Sequence, residues 1–262
     1  MVNAATFNAP NWVDLSTPDA DAAIDFYREL LGWEFRTETT EMGDYHVASV
    51  GRREICGVME QATEMAGAPA IWTVFFNVED IDATAHAVEQ AGGSVLEPPF
   101  TIPGGARVGV VADSVGAMFA LISGGPVADA VWLSVHPGSV CWVEVASRDV
   151  EASRAFYEAV FGWDTSTSED GYSTFTLDGE QVAGLLAMPP MVPADAPSHW
   201  AVYFAVADCD VVERAAVDLG GSILVETTPV EIGRFAVLED PVGAMFDIMD
   251  FSHAFMGHPI TV

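Results

Sequence analysis

The segment NWVDLSTPDADAAIDFYRELLGW, residues 11–33, occurs a second time as CWVEVASRDVEASRAFYEAVFGW, residues 141–163. Trp12 and Trp142 are 130 positions apart, and the same offset relates the Phe-Tyr and Gly-Trp pairs of the two copies. The offset shrinks to 127 near the end of each half, which indicates small loop deletions only. The chain is therefore an internal duplication.

Each copy of this segment predicts a strand followed by a helix. Residues 11–15 are short, apolar and aromatic, as is typical of a strand. Thr17 and Asp19, beside Pro18, mark the start of a helix, and Gly32 marks its end. Three further short strands follow, so the unit is β-α-β-β-β.

The same unit occurs twice in each half of the chain. We therefore predict an α+β fold of four βαβββ modules in two paired halves, residues 8–123 and 139–250. A linker with glycine and proline at both ends, residues 124–138, joins the halves, and residues 251–262 form a tail.

Composition excludes several classes of partner. The 262 residues include 39 acidic residues and nine basic residues, all arginine, for a net charge of −30. This charge repels nucleic acids and anionic membrane surfaces.

No apolar run approaches the ~18 residues of a membrane span, and the first ten residues do not resemble a signal peptide. Three scattered cysteines predict no disulfide framework. We expect a soluble cytoplasmic protein, monomeric or homodimeric.

The motifs add a family resemblance. A helix ending in Phe-Tyr and Gly-Trp, and a closing strand after Asp240-Pro241-Val242-Gly243, resemble the vicinal-oxygen-chelate superfamily over residues 8–250. That superfamily includes glyoxalase I, bleomycin-resistance proteins, fosfomycin-resistance enzymes and extradiol dioxygenases. The most similar type is the two-domain actinobacterial glyoxalase-like protein or hydroxylase. The resemblance implies concave mixed sheets that enclose clefts, and in the metal enzymes His and Glu ligands on particular strands.

The ligand positions of the family pattern are mostly occupied by residues that cannot bind a metal. They fall at Trp12 and Trp142, near Thr73 and Ala201, and at Ala120 and Asp247. Among these side chains only Asp247 is a plausible ligand, so we predict no family metal and no cofactor. The alternative is a divalent metal (Fe, Mn, Ni or Zn) at an irregular site of His199, Asp247 and Glu144 in the second half.

Strand alternation predicts which side chains face the clefts. The predicted ligand-binding residues are Trp12, Asp14, Phe75, Arg107, Trp142, His199, Arg234, Met245 and Met249. Aromatic and methionine side chains with a few polar groups predict a small, mostly apolar organic ligand. Alternatively, the aromatic residues are ordinary core, and Asp14 and Glu144 form structural ion pairs with Arg107 and Arg234.

The second half is the more polar, so we place any chemistry there. A carboxyl group among aromatic residues is a plausible general base near neutral pH, which makes Glu144, Asp247 and Tyr203 the candidate catalytic residues. Three function classes remain open. The favoured one is a metal-independent small-molecule binder in resistance, detoxification or secondary metabolism. The others are a lyase, isomerase or hydroxylase acting on a small organic or natural-product substrate, and a protein-interaction module.

Overall fold

The computed structural model describes residues 6–62, 67–124, 133–169, 171–189 and 192–251. The described part contains sixteen strands and four helices. The first half has, in order, β1 (Ala9–Thr17), α1 (Ala20–Leu31), β2 (Glu34–Thr40), β3 (Gly43–Val50), β4 (Arg53–Glu60), β5 (Ile71–Asn77), α2 (Ile81–Gln90), β6 (Ser94–Thr101), β7 (Arg107–Ala112) and β8 (Met118–Ser123). The second half has β9 (Val140–Ser147), α3 (Val150–Phe161), β10 (Asp164–Thr167), β11 (Ser173–Leu177), β12 (Glu180–Ala187), β13 (His199–Ala205), α4 (Cys209–Asp218), β14 (Ser222–Val230), β15 (Gly233–Glu239) and β16 (Met245–Phe251). The predicted α+β class with four βαβββ modules is confirmed.

Each half forms one eight-stranded mixed sheet from its two modules. The strand orders are β2-β3-β4-β1-β5-β8-β7-β6 and β10-β11-β12-β9-β13-β16-β15-β14. The modules of a half join where β1 pairs antiparallel with β5, and where β9 pairs antiparallel with β13. The opening strand of every module therefore lies at the centre of its sheet. No helix in the described part of the chain is long and apolar enough to cross a membrane.

The sequence signals at the ends of the repeated helices act as expected. The Asp19 side chain accepts a hydrogen bond from the Ala22 N–H, and Gly32 ends α1 with a left-handed φ of 71°. In α3 the Asp149 side chain accepts from Ala152, and the final glycine again has a φ of 71°. A carboxylate cap satisfies a free amide of the first turn, and glycine adopts positive φ with little strain. These residues fix both helix boundaries.

The two halves share one hydrophobic core. Helix α1 contacts α4, and α3 contacts α2, so each helix of the repeated segment packs on the other half. The Trp33 and Phe204 rings are 5.2 Å apart, and Phe76 and Phe161 are also 5.2 Å apart. Because buried aromatic area dominates core energetics, we expect the halves to unfold together.

Polar tethers inside this core explain two of the motifs. The Tyr27 hydroxyl donates to Asp240 Oδ2 at 3.1 Å and accepts from Trp72 Nε1 at 3.2 Å. The other oxygen of Asp240 accepts from the N–H groups of Val242 and Ala244. Asp240 thus stabilises the turn before β16 and also binds Tyr27 of the first half.

The reciprocal tether joins the halves a second time. The Tyr157 hydroxyl donates to Asp113 Oδ2 at 3.1 Å and accepts from Trp200 Nε1 at 2.9 Å. Asp113 Oδ2 also accepts from the Ser153 hydroxyl at 3.3 Å. Each half therefore donates a tyrosine hydroxyl to an aspartate of the other half.

Candidate functional site

The face of each sheet that points away from the common core carries the candidate site. Along β1, Val13 and Leu15 belong to the core. Trp12 and Asp14 therefore lie on the opposite face. The same alternation holds along the other central strands. We define the first cleft by Trp12, Asp14, Tyr45, Gly57, Phe75 and Ala120, and the second cleft by Trp142, Glu144, Tyr172, Gly184, Tyr203, Asp247 and Met249.

The first sheet curves strongly around its cleft. Residues 39–42, at the tip of the β2–β3 hairpin, and residues 101–103, at the end of β6, line one groove of about 710 Å³. Strands β2 and β6 are the two outer strands of an eight-stranded sheet, so a flat sheet would place them about 34 Å apart. Because helices and the other half cover the core face, the curvature encloses the face that carries Asp14.

In the first cleft the carboxyl group of Asp14 is held by two donors. Its Oδ1 accepts from Trp12 Nε1 at 2.8 Å and from the Tyr45 hydroxyl at 2.7 Å. Gly57 pairs with Asp14 across β1 and β4. A Cβ atom at Gly57 would lie 2.1 Å from the Tyr45 oxygen and 2.2 Å from Asp14 Oδ1. Only glycine leaves space for this arrangement. Burial raises the pKa of Asp14 to about 6, against the opposing effect of hydrogen bonds from Tyr45, Trp12 and the Gly57 backbone.

In the second cleft two tyrosines hold the carboxyl group of Glu144. The Tyr172 hydroxyl donates to Oε2 at 2.8 Å, and the Tyr203 hydroxyl donates to Oε1 at 2.5 Å. Trp142 Nε1 donates to the Tyr172 hydroxyl at 2.8 Å. A Cβ atom at Gly184 would lie 2.0 Å from that hydroxyl. Burial raises the pKa of Glu144, although the tyrosine hydrogen bonds act in the opposite direction.

The second cleft contains a second carboxyl group, that of Asp247. Only 6 % of this residue is exposed, and its strand neighbours are Tyr203 and Val237. Within the described ranges the Asp247 carboxyl has no hydrogen-bond or ion-pair partner. Burial and the nearby charge of Glu144 raise its pKa well above the usual value. Ala120 occupies the matching position on β8.

The structure corrects the assignment of both arginines to the clefts. Arg107 forms an ion pair with Asp82 of α2. Arg234 contacts Asp250 and the start of α4 at Asp210. Arg234 pairs with Asp250 across β15 and β16, one residue from cleft-facing Met249, so alternation directs it to the helix side. The alternative of ion pairs to Asp14 and Glu144 is excluded for the same reason.

Two further predicted residues lie away from the carboxyl groups. His199 Nδ1 is 3.1 Å from the carbonyl oxygen of Pro197. Tyr203 pairs with Asp247, and His199 lies four residues earlier on the same strand, a distance of about 13 Å. His199 and Asp247 therefore cannot share one ion. The alternative prediction of a metal site formed by His199, Asp247 and Glu144 does not agree with the structure. Met245 is 48 % exposed at the start of β16, so we assign it to the rim of the second cleft.

The remaining donor set does not fit the metal centre of the family. Among the described residues no group of three His, Cys, Asp or Glu side chains converges on one point. The first cleft offers Asp14 and the second offers Glu144 and Asp247, whereas a divalent metal usually takes about three protein ligands. Gly57 and Gly184 occupy the mid-strand positions beside the carboxyl groups. His253 and His258 lie outside the described residues.

The sequence reasoning missed Tyr45, Tyr172, Gly57 and Gly184. A usable signal was present, because both the tyrosines and the glycines are separated by 127 positions, the offset of the closing part of each half. This match shows that the four residues are equivalent in the two halves, and it says nothing by itself about which carboxyl group each tyrosine contacts.

Comparison with known proteins agrees with this architecture. The family model described as Glyoxalase/Bleomycin resistance protein/Dioxygenase superfamily matches residues 9–121 and 139–248. The anthracycline biosynthesis protein DnrV of Streptomyces peucetius is 37 % identical over 94 % of this chain and 94 % of its own. The putative glyoxylase CFP32 of Mycobacterium bovis is 33 % identical over 92 % and 94 %, respectively.

Solved structures share the fold at low sequence identity. The Mn(II)-bound glyoxalase from Novosphingobium aromaticivorans superposes with a TM-score of 0.62 at 17 % identity, covering 93 % of this chain and 82 % of its own. The 2,3-dioxygenase LapB from Pseudomonas sp. KL28 gives 0.63 at 14 %, covering 94 % and 92 %. Family model, relatives and architecture agree, and the chain belongs to the glyoxalase/bleomycin resistance protein/dioxygenase superfamily.

Proposed function

We propose that the protein binds a small, largely aromatic organic molecule in the second cleft and acts in resistance, detoxification or secondary metabolism. Trp142, Tyr203 and Met249 form a mostly buried apolar and aromatic cluster on the cleft face, and Glu144 provides a fixed polar group. Binding sites for small organic molecules combine such surfaces with a few polar groups that set orientation. The 37 % identity to an anthracycline biosynthesis protein supports a natural-product ligand.

The observation that carries the proposal is the clamp on Glu144. Two tyrosine hydroxyls, at 2.8 and 2.5 Å, hold a buried carboxyl group in one orientation. Ordering and burying these polar groups costs free energy, which a purely structural face could avoid with apolar side chains. A prearranged hydrogen-bonding group beside aromatic surface is what a ligand site requires.

Isothermal titration against hydroxylated naphthoquinones and anthraquinones tests the proposal. We expect at least one compound to bind with a Kd below 1 mM, and Trp142→Ala to weaken it by at least tenfold. Leu224→Ala removes a half-exposed apolar side chain of β14, outside the cleft, and should leave the Kd unchanged. Absence of binding across the panel, or equal affinity of the Trp142→Ala protein, would contradict the proposal.

Acid–base catalysis in the same cleft is the second candidate function. The raised pKa of Glu144 and its 2.5 Å contact with the Tyr203 hydroxyl favour a base and an acid within one hydrogen bond. Such a pair suits a lyase or isomerase reaction. Glu144→Gln should then abolish product formation with a bound substrate while the Kd changes less. Undiminished turnover of this variant would exclude catalysis by Glu144.

Metal analysis separates these candidates from the metal chemistry of the wider family. The untagged protein, incubated with Fe(II), Mn(II), Ni(II) or Zn(II), should retain well below one equivalent after desalting, because the described donor set is too small. Near-stoichiometric retention would overturn this expectation and point to lyase or oxygenase chemistry.

A further inference from the structure

We propose that the second cleft selects organic cations, with the protonated amine of an aromatic ligand lying between Glu144 and Asp247. This inference rests on the proposed function, since it names the class of ligand that the second cleft binds. It makes the two clefts unequal in specificity, although they arose by duplication.

The first argument is the state of Asp247. Asp247 is only 6 % exposed and has no partner among the described residues, and a carboxyl group in that state is costly because neither a hydrogen bond nor an opposite charge offsets its desolvation. Asp247 lies on the cleft face beside Tyr203, whose hydroxyl already donates to Glu144. Asp247 therefore lies on the cleft face with bonding capacity that no described residue uses.

The second argument is that no arginine in the described part of the chain pairs with Glu144 or Asp247. The sequence has no lysine, and all nine arginines lie in the described part. Two of them, Arg52 and Arg214, are exposed. The other seven bond to groups other than Glu144 and Asp247; they are Arg28, Arg36, Arg53, Arg107, Arg148, Arg154 and Arg234. A protonated amine from the ligand would supply an opposite charge between the two carboxyl groups and balance one of them.

The third argument comes from the matching positions of the first cleft. Ala120 replaces Asp247 and Phe75 replaces Tyr203 in the strand pairing. Asp14 is left as one carboxyl group whose Oδ1 already accepts from Trp12 and Tyr45. The first cleft therefore lacks the paired carboxyl groups that a cation would require.

The aromatic walls and the overall field favour the same ligand class. Indole and phenol rings attract cations through their faces, and Trp142 and Tyr203 both line the second cleft. The net charge of −30 raises the local concentration of cations around the whole protein. Neither effect favours a neutral or anionic ligand.

A matched pair of probes, 1-naphthylmethylamine and 1-naphthylmethanol, tests the inference by titration calorimetry at pH 7. The two compounds share an aromatic body and differ in charge. The amine should bind at least tenfold more tightly than the alcohol. Asp247→Asn should remove most of this difference by weakening the amine, with the alcohol within threefold of wild type. Asp218→Asn, an equal charge change at an exposed site on α4, should alter neither Kd.

The wild-type protein alone provides a second readout. The amine affinity should rise with pH, because the ionised carboxyl groups hold the amine, and the alcohol affinity should not. The other titratable groups facing Asp247 are Glu144, Tyr203 and Cys141, and burial raises the pKa of the last two so that they remain neutral. Equal binding of amine and alcohol, or an equal loss of both in Asp247→Asn, would overturn the inference alone. If neither probe binds while a quinone of the panel does, the inference fails and the proposed function stands; if no compound binds, both fail.

Discussion

The first and second clefts have the same framework and different carboxyl chemistry. Both place a tryptophan and a carboxyl group on the central strand, a glycine on the strand beside it, and a tyrosine hydroxyl in the space that the glycine leaves. In the first cleft one carboxyl group has two donors. In the second a longer carboxyl group has two tyrosine donors and a second carboxyl neighbour, Asp247. Duplication kept the residues that shape the cleft and changed those that a ligand would contact.

The largest expected effect is that of Asp14→Asn on the pH dependence of stability. Asp14 has a pKa of about 6 in the folded protein against 3.8 ordinarily, so the folded state holds the proton more tightly. Stability is therefore lost as pH rises from about 4 to about 6. At 1.36 kcal/mol per pH unit, ionisation costs about 3 kcal/mol. The asparagine oxygen can still accept both hydrogen bonds, so the variant should gain about that much at pH 7 and little at pH 4.

Urea unfolding of wild type and Asp14→Asn at pH 4, 5, 6 and 7 measures this difference. Asp44→Asn, an exposed change at the start of β3, serves as the control and should follow the wild-type curve. A loss of stability at every pH in the Asp14→Asn protein would show that its hydrogen bonds matter more than its charge. The first cleft would then be a structural element and not a ligand site.

An intermediate effect is expected from Gly184→Ala. The added methyl group would overlap the Tyr172 hydroxyl and contact Glu144 Cβ at 2.8 Å. Overpacking of this kind costs about 1–3 kcal/mol. The double variant Gly184→Ala/Tyr172→Phe removes the overlapping oxygen, so its loss in urea unfolding should be smaller than the sum of the single losses. Full additivity would show that the glycine does not serve to accommodate the tyrosine.

The smallest expected effect is the difference in stability loss between removing the Tyr27 hydroxyl and removing the Tyr157 hydroxyl. Tyr27→Phe leaves Asp240 Oδ2 without its hydroxyl donor, whereas Tyr157→Phe leaves Asp113 Oδ2 with the Ser153 hydroxyl at 3.3 Å. An unsatisfied buried acceptor costs about 1–3 kcal/mol, and a retained donor reduces that cost. Tyr27→Phe should therefore be the more destabilising by about 1 kcal/mol in urea unfolding. Equal losses would mean that Ser153 contributes nothing to its tether.

Local signals predicted the fold and part of the site. Helix ends followed from Asp19 and Gly32 because capping depends on neighbouring residues only. The orientation of Trp12, Asp14 and Glu144 followed from strand alternation, which is also local. The same rule also places Arg234. Asp247 and Met249 are two positions apart on β16 and face the cleft, so Asp250 and its partner Arg234 face the helices.

The remaining features depend on residues that are distant in sequence. Tyr45 reaches Asp14 across 31 residues, and Tyr203 reaches Glu144 across 59. No local pattern states which hydroxyl meets which carboxyl group, because this depends on strand register. Burial likewise depends on the complete fold, so the pKa of Asp14 and the isolation of Asp247 could not be read from composition.

The sequence by itself determined the duplication, the four modules and the faces of the central strands, because repeats, caps and alternation are encoded in neighbouring residues. Only the tertiary structure decided that the halves exchange contacts through Tyr27 and Tyr157, and that Asp247 remains a buried carboxyl group without a partner in the described residues. The physical reason is that hydrogen-bond partnership and desolvation are properties of a position in space, and strand pairing brings those positions together.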